Sequence, residues 1–220
     1  MAGRTLAIGD IHGCNTALNA LLAGVQVAAA DTVVILGDIV DRGPGSRQVI
    51  ERLLDMRSRC NLVYILGNHE ELMLDVLVDG NLLSEWLDVG GLETVESYQG
   101  DPGNIPAEHI EFLASGEDYW VGEHELFVHA NLQPGVELAL QSAEWLRWTH
   151  LTGKERPHPS GKRVVCGHTP QPYGVPKVLP GWVCIDTYAF GGGWLSCLDV
   201  GCNELFQANE AGEFRQRTLG

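Results

Sequence analysis

The sequence lacks long apolar runs, closely paired cysteines and an excess of positive charge. No run reaches the roughly 18 apolar residues of a membrane-spanning helix, so we expect no membrane partner. None of the 6 cysteines belongs to a C-x-x-C pair, and a thiolate metal site of that type is not expected. Because the first residues lead into an apolar strand without the pattern of a signal peptide, we expect a cytoplasmic protein with reduced thiols.

The shortage of positive charge also limits the partners. There are 14 Lys and Arg against 29 Asp and Glu, which gives a net charge of -15. A chain this acidic repels polyanions, so nucleic acid is not an expected partner. A small phosphorylated molecule can still bind where metal ions and arginines make one site positive. A length of 220 residues predicts one domain, 1–220, and no pattern indicates an oligomeric state.

The sequence does contain five short segments that each follow an apolar run and carry side chains able to bind metal. They are Gly9-Asp10-Ile11-His12-Gly13, Gly37-Asp38-Ile39-Val40-Asp41-Arg42-Gly43, Gly67-Asn68-His69-Glu70, His129-Ala130 and Gly167-His168-Thr169. Each apolar run is short and predicts a buried strand. Strands of one sheet end along a shared edge, so these side chains are expected to meet there.

The pattern of helices and strands predicts an α/β fold (α+β in stricter schemes) with two mixed sheets. Apolar spacing predicts helices over residues 15–22, 46–57, 70–87 and 107–113. The first half is therefore β-α-β-α-β, which is typical of parallel strands with crossover helices. Short strands from residue 120 onward, including 195–199 and 204–207, predict a second, mainly antiparallel or mixed sheet. Residues 154–161 and 169–181 are expected to form loops.

The segments supply nitrogen and oxygen ligands that suit two borderline divalent cations. A single histidine at the end of a strand is usually structural, so the prediction depends on the whole set. The candidate metal ligands are Asp10, His12, Asp38, Asn68, His129 and His168. Cys14, beside the first segment, is a minor alternative as a ligand or redox target. We expect the other histidines, which are His109, His124, His150 and His158, to lie on the surface or to cap helices.

Three further residues in these segments are candidates for catalysis. His69 follows a candidate ligand and can act as a general acid toward a leaving oxygen. Asp41 can orient His69 and raise its pKa, although a turn-forming carboxylate before Gly43 is the alternative. Arg42 can hold phosphate oxygens bidentately, and its alternative is a surface arginine.

In chain order, the segments match the pattern G-D-x-H-G, G-D-x-V-D-R-G, G-N-H-E, a separated His and G-H-T over residues 9–169. The sequence therefore resembles the phosphoprotein phosphatase family of metallophosphoesterases, above all the small bacterial and phage-type Ser/Thr protein phosphatases. The similarity extends to Trp145-Leu146-Arg147, where such enzymes carry a second phosphate-binding arginine, and to Ile185-Asp186-Thr187. It implies a four-layer αββα sandwich, a calcineurin-like domain with sheets inside and helices outside.

The resemblance also implies a mechanism and a cofactor. One ion is held by Asp10, His12 and Asp38, and a second by Asp38, Asn68, His129 and His168. A hydroxide that bridges the ions attacks phosphorus in line, and Arg42 and Arg147 hold the phosphoryl oxygens. His69, paired with Asp41, protonates the leaving group. The expected cofactor is two divalent ions, Mn or Fe, with Zn or Ni as alternatives.

The primary function predicted from the sequence is phosphomonoester hydrolysis by a Ser/Thr or dual-specificity protein phosphatase, with a phosphorylated protein or a small phosphoester as substrate. A symmetrical dinucleoside tetraphosphate hydrolase is the first alternative, since that family shares the stretch from Arg42 to Ser46. It typically has Ala at the position of Asp41 and Asp at that of Glu70, and both differences favour the monoesterase. A non-catalytic binding module is the second alternative, although no candidate ligand is missing. We expect loops 79–103 and 149–161 to set the choice of substrate.

Overall fold

The computed structural model describes residues 3–219 and contains two β-sheets. The strands are β1 (Thr5–Ile8), β2 (Thr32–Ile35), β3 (Asn61–Tyr64), β4 (Tyr119–Val121), β5 (Glu125–Val128), β6 (Arg163–Cys166), β7 (Lys177–Leu179), β8 (Trp182–Cys184), β9 (Leu195–Asp199), β10 (Glu204–Ala208) and β11 (Phe214–Thr218). The α-helices are α1 (Asn15–Val25), α2 (Ser46–Arg57), α3 (Asn68–Asp79), α4 (Leu83–Trp86), α5 (Leu92–Ser97) and α6 (Ala107–Ala114).

Both sheets are mixed. The first has the order β11-β10-β9-β1-β2-β3, in which β1, β2 and β3 are parallel. The second has the order β4-β5-β6-β8-β7, in which β5, β6 and β8 are parallel and the two edge strands are antiparallel. The β-α-β-α-β prediction for the first half is confirmed.

The grouping of the late strands was wrong. We predicted residues 195–199 and 204–207 in the second sheet, but β9 pairs antiparallel with β1 and β10 pairs with β9. Strands β9, β10 and β11 therefore form an antiparallel meander that extends the first sheet beyond β1. The apolar pattern of β9, buried at all five positions, shows that it is a strand but cannot show which edge it joins.

The sheets pack face to face, with helices on the outside. Residues of both sheets fill the space between them, among them Val34 and Leu36 from the first sheet and Phe127 and Val165 from the second. Helices α1 and α2 cover the outer face of the first sheet through residues such as Leu18 and Leu53. The outer face of the second sheet is covered more thinly, by loops and by short helical turns at Leu138–Leu140 and Glu144–Trp148. The predicted α/β sandwich of two mixed sheets flanked by helices is confirmed.

The predicted helix over residues 70–87 is interrupted. It ends at Asp79, because Gly80 takes a left-handed conformation (φ 73°) that caps α3. The chain then forms α4 and kinks at Gly90 (φ 119°) before α5. The kink brings the carbonyl of Gly90 to 2.9 Å from the amide nitrogen of Arg42. A Cβ atom on Gly90 would lie 2.6 Å from that nitrogen, so this position needs glycine for two reasons.

Three edge strands were not predicted from the sequence: β4, β7 and β11. β7 lies inside the predicted loop 169–181, and its three residues are only partly buried or exposed. Strands this short and this exposed carry little apolar periodicity. Within residues 3–219, no helix has the length and apolar character needed to cross a membrane.

Candidate active site

The predicted metal ligands converge where strands of both sheets end. Asp38 lies at the centre of the cluster. Its Oδ2 atom is 3.5 Å from Nε2 of His12, and its Oδ1 atom is 3.4 Å from Nε2 of His129. Two groups able to hold a metal ion share this carboxylate: His12, Asp38 and His69 form one, and Asp38, His129 and His168 form the other. Asp38 therefore faces one candidate metal position with each oxygen.

Backbone carbonyls fix the orientation of the candidate histidine ligands. Nδ1 of His12 donates to the carbonyl of Val40 at 3.0 Å, and Nδ1 of His129 donates to that of Leu36 at 2.7 Å. Nε2 of His168 lies 3.1 Å from the carbonyl of Trp148. Each ring therefore keeps its other nitrogen as a lone pair. Such hydrogen bonds are how proteins fix the tautomer of a metal-binding histidine.

The donor set fits a cation, because lone pairs converge without a proton between them. The lone pair on Nε2 of His129 faces Oδ1 of Asn68 at 3.1 Å and Oδ1 of Asp38 at 3.4 Å. Burial lowers the pKa of His129 and keeps the ring neutral, although Asp38 opposes this effect. Three acceptors at this spacing leave a position that a divalent ion satisfies.

The buried carboxylates point to the same conclusion. Burial, together with the nearby charges of Asp186 and Asp38, raises the pKa of Asp10 well above its ordinary value. Burial also raises the pKa of Asp186 to about 7. Burial opposes ionisation of Asp38 too, but the surrounding imidazoles outweigh it and hold the pKa of Asp38 below its ordinary range. A cluster of buried carboxylates is stabilised when a cation binds among them.

Several of these residues have strained backbones. The φ angles are 46° at His12, 47° at Asp38, 70° at Asp41, 68° at Arg42 and 62° at His168. Residues other than glycine rarely adopt this left-handed conformation, and where they do it often marks a functional site. The surrounding fold must hold them in place.

Glu70, to which the sequence analysis gave no role, holds the Asp38 loop. Its carboxylate accepts N–H groups from Asp38 (2.9 Å), Ile39 (2.8 Å), Val40 (3.2 Å) and Gly67 (3.0 Å). Burial and the charge of Asp38 raise the pKa of Glu70 to about 7, against the effect of these donors. Its position in the first turn of α3 was a signal that we overlooked, since a Glu three residues after a helix cap commonly bonds back to it.

The predicted pairing of His69 with Asp41 is present in the geometry. Nδ1 of His69 lies 2.7 Å from Oδ2 of Asp41, and both side chains are buried. Burial lowers the pKa of His69, but Asp38 and the bond to Asp41 outweigh it, so the pKa is raised overall. Asp41 is itself held by Oγ1 of Thr94 at 2.7 Å and by Nε1 of Trp86 at 3.2 Å. No motif in the sequence indicated Trp86 or Thr94, because they lie in the kinked segment after α3.

The two candidate arginines differ in their surroundings. Arg42 donates from Nη1 to Nε2 of His12 at 3.0 Å, and its guanidinium lies 4.6 Å from the ring centre of Phe190. It therefore faces the first metal group. Arg147 forms ion pairs with Glu71 and Asp118. To hold a phosphoryl oxygen it would have to exchange these partners, and its phosphate-binding role stays a prediction.

The remaining cysteine and histidine expectations have mixed outcomes. The thiol of Cys14 is buried and points to the carbonyl of His12 at 3.5 Å. Burial raises its pKa to about 12, which disfavours the thiolate that a metal would need. The expectation for His109 was wrong: the ring is buried and lies 2.7 Å from the hydroxyl of Tyr98. His150 stacks on His168 with ring centres 4.4 Å apart.

Curated relatives and solved structures were found for this chain. A symmetrical bis(5′-nucleosyl)-tetraphosphatase of Janthinobacterium sp. (strain Marseille) is 40% identical over 155 residues, which cover 64% of this chain and 53% of the relative. One from Pseudomonas putida is 35% identical over 106 residues, which cover 44% of this chain and 33% of the relative. The chain thus spans about half the length of the first of these relatives and less of the second.

The structural comparisons show the fold. A putative diadenosine tetraphosphatase matches with a TM-score of 0.69 and 23% identity over 99% of this chain and 94% of its own. A cold-active protein-tyrosine phosphatase of Shewanella sp. has a TM-score of 0.69 at 16% identity, over 98% of this chain and 80% of its own. A Saccharomyces cerevisiae protein serine/threonine phosphatase has a TM-score of 0.66 at 14% identity, over 99% of this chain and 80% of its own.

The family model for calcineurin-like phosphoesterases matches residues 3–192, a range that contains every candidate metal ligand. The resemblance to metallophosphoesterases is therefore confirmed, and the chain belongs to the calcineurin-like phosphoesterase family.

Proposed function

We propose that this chain is a two-metal hydrolase that cleaves dinucleoside tetraphosphates symmetrically. As a calcineurin-like phosphoesterase it is a metal-dependent hydrolase. The observation that carries the finer proposal is the 40% identity over 155 residues to a symmetrical bis(5′-nucleosyl)-tetraphosphatase. Of our three sequence-based expectations, this similarity favours the first alternative over the phosphomonoesterase that we ranked higher. No protein substrate is supported by it.

The side chains of this site can divide the work of hydrolysis. Two divalent ions held by Asp10, His12, Asp38, Asn68, His129 and His168 would supply Lewis-acid chemistry and an activated water. Arg42 is placed to hold an oxygen of the phosphoryl group beside His12. Water oxygen forms a bond to phosphorus as the phosphoanhydride P–O bond breaks, and a nucleoside diphosphate leaves with the bonding electrons. Nδ1 of His69 is bound to Asp41, and the protonated ring, which the raised pKa favours, also carries a proton on Nε2 that it can give to the leaving group.

Phosphomonoester hydrolysis is the second candidate, and the His69–Asp41 pair is the observation that favours it. A nucleoside diphosphate leaves as a stabilised anion and gains little from a proton donor. An alkoxide from a serine or sugar ester is a poor leaving group and gains much more. A buried, oriented histidine with a raised pKa is therefore of greatest use for a monoester.

A side-by-side assay distinguishes the two candidates. Diadenosine tetraphosphate, para-nitrophenyl phosphate and a phosphoserine peptide are compared at equal Mn²⁺ concentration, with kcat/KM as the measure. We expect the tetraphosphate to be hydrolysed fastest, with adenosine diphosphate as the sole nucleotide product. Adenosine triphosphate and monophosphate as products would contradict symmetrical cleavage. A larger kcat/KM for either monoester would contradict the proposed substrate class and favour the second candidate. Repeating the assay with Fe²⁺, Zn²⁺ and Ni²⁺ tests the expectation that Mn²⁺ or Fe²⁺ supports faster turnover than Zn²⁺ or Ni²⁺.

A further inference from the structure

The structure contains a cavity of about 830 Å³ whose lining includes none of the candidate metal ligands. Its walls come from residues 131–138, which follow His129, from parts of the segment 145–159, and from Trp182. The volume falls within the roughly 300–1,000 Å³ that is typical of small-molecule sites. Part of the wall belongs to the loop 149–161, which we expected to influence substrate choice.

The lining suits a flat, uncharged and largely apolar group. Trp145 and Trp182 line the cavity together with Leu132, Leu138 and Pro157; Trp145 is partly buried, whereas only 4% of Trp182 is exposed. The Nε1 atom of Trp182 already donates to the carbonyl of Arg156 at 2.8 Å. Its ring is thereby fixed, and its polar atom needs no partner from a ligand. Trp182 therefore forms a rigid apolar part of the wall, and the partly buried ring of Trp145 is the surface on which a planar group can stack.

The charges of the lining balance. Lys154 and Arg156 are opposed by Glu137 and Glu155, so the cavity is formally neutral in a chain of net charge -15. The carboxylate of Glu155 is also turned toward its own loop, where it accepts the N–H groups of Thr152 at 2.6 Å and Gly153 at 2.9 Å. The cavity therefore has no net positive charge with which to attract a phosphate chain. A neutral group that is attached to such a chain can enter it without bringing an unpaired charge.

The cavity and the second metal group are connected by the segment 148–150. Thr149 lines the cavity. Its neighbours contact His168: the carbonyl of Trp148 lies 3.1 Å from Nε2 of His168, and the ring of His150 stacks on the ring of His168. Asn131, another lining residue, donates from Nδ2 to the carbonyl of His150 at 3.2 Å. A ligand in the cavity is thus one layer of residues away from His168.

We propose that this cavity binds the nucleoside end of a nucleotide substrate while its phosphates lie at the metal site. The proposal rests on the proposed function, because it needs a substrate that joins a base to a phosphate chain. A base and ribose supply the planar and uncharged parts that Trp145 and the apolar, formally neutral lining favour. The cavity then sets specificity, and the metal site supplies the chemistry.

The test measures binding instead of turnover. Adenosine 5′-(α,β-methylene)diphosphate and methylenediphosphonate are each titrated by calorimetry into the protein with Mn²⁺ in the buffer. Both carry a methylene-bridged diphosphate that resists hydrolysis, so the change in the ratio of their affinities between wild type and variants reports on the nucleoside. Because stacking of a base on an aromatic ring contributes about 1–3 kcal/mol, we expect the nucleoside ligand to bind at least about fivefold more tightly. Equal affinities, including no measurable binding of either ligand, would overturn the proposal.

Two variants locate the effect. Val136→Trp places an indole at the cavity wall, where it obstructs part of the space, and is expected to abolish the nucleoside preference while the affinity for methylenediphosphonate stays unchanged. Val175→Trp makes the same change at a position that is 53% exposed and outside the cavity lining, and it should keep the preference. Retained affinity for methylenediphosphonate shows that the metal site is still folded. A nucleoside preference that survives Val136→Trp would place the nucleoside elsewhere and overturn the proposal.

The outcomes separate this proposal from the proposed function. Turnover of diadenosine tetraphosphate with no nucleoside preference in binding would leave the proposed function standing and remove the cavity from it. A nucleoside preference without tetraphosphate turnover would keep the cavity as a nucleotide site and reject the tetraphosphatase. If a phosphoserine peptide with flanking apolar residues lost affinity in Val136→Trp while the nucleoside ligand did not, the cavity would be a peptide site and the proposal would fail.

Discussion

At the scale of single residues, Asp38 is the side chain on which the candidate site depends most. Its two oxygens face His12 and His129, and it belongs to both groups that can hold a metal ion. We therefore expect Asp38→Asn to lower occupancy at both metal positions, whereas Asn68→Ala should lower it chiefly at one. Elemental analysis after gel filtration measures both. Full occupancy of two ions in Asp38→Asn would show that the carboxylate does not bridge them.

The His69 side chain is expected to act through its proton. We predict that His69→Asn keeps its metal and slows turnover by roughly 10²- to 10⁴-fold on substrates with poor leaving groups. The loss should shrink as the leaving group becomes a better anion. Aryl phosphates of graded leaving-group pKa, together with diadenosine tetraphosphate, measure this trend. An equal loss across the series would assign His69 to metal or phosphate binding instead.

Asp41 is expected to act only through His69, and a pH profile tests this. Asp38 and the bond to Asp41 raise the pKa of His69 against the effect of burial, so the acid stays protonated to higher pH. Asp41→Asn removes one of these anions, and the pKa of His69 should fall. The alkaline limb of kcat/KM, where the proton is lost, is therefore expected to move to lower pH. In His69→Asn this limb should be absent. A limb that stays in place in Asp41→Asn would show that another group causes it.

The local motifs led to residues that the structure brings together, because each motif combines a strand end with its own side chain; that these residues bind metal stays a prediction. The contacts of Trp86 and Thr94 with Asp41 could not be predicted in the same way. They join residues 45 and 53 positions apart in the chain, through a kink that only the folded structure defines. Arg147 shows the same limit, since a sequence pattern does not reveal its ion pairs with Glu71 and Asp118.

At the scale of elements, the kink between α4 and α5 positions the loop that carries Asp41 and Arg42. Gly90 has a φ of 119°, and its carbonyl accepts the amide of Arg42. We predict that Gly90→Ala lowers the free energy of unfolding by about 1–3 kcal/mol, because the new Cβ meets backbone and the φ angle is strained. It should also lower kcat/KM, since Asp41 and Arg42 must shift.

Gly80→Ala is the matched control. Gly80 also has a positive φ, of 73°, but a Cβ there would meet nothing within 4 Å. We expect it to destabilise the fold by about 1 kcal/mol and to leave kcat/KM unchanged. Urea denaturation gives both stabilities. If both variants kept wild-type activity, the kink would be structural only and would not position the catalytic loop.

At the scale of the whole molecule, the sequence predicted the architecture but not all of the strand pairing. Strands β1, β2, β3, β5 and β6 end at the motifs, so their joint edge could be inferred. The pairing of β9 with β1 could not be inferred, because the two strands lie near opposite ends of the sequence and their pairing depends on how the whole chain packs. That 1–220 is one domain and that the protein is cytoplasmic remain predictions.

Metal removal tests how far the fold depends on the site. The core between the sheets and under the helices is large and made of apolar side chains, so the chelated protein should keep its circular dichroism spectrum. It should nevertheless be inactive, and its Tm should be lower. A ligand that binds only the folded state adds about RT ln(1 + [L]/Kd) to stability, and here it would also neutralise the buried carboxylates of Asp10, Asp38 and Asp186.

Adding Mn²⁺ back should raise Tm in proportion to the logarithm of its concentration. Asp38→Asn, which should bind the ion poorly, is the control and should show a much smaller rise. A Tm that does not respond to Mn²⁺ in the wild-type chain would mean that these carboxylates do not form a metal site.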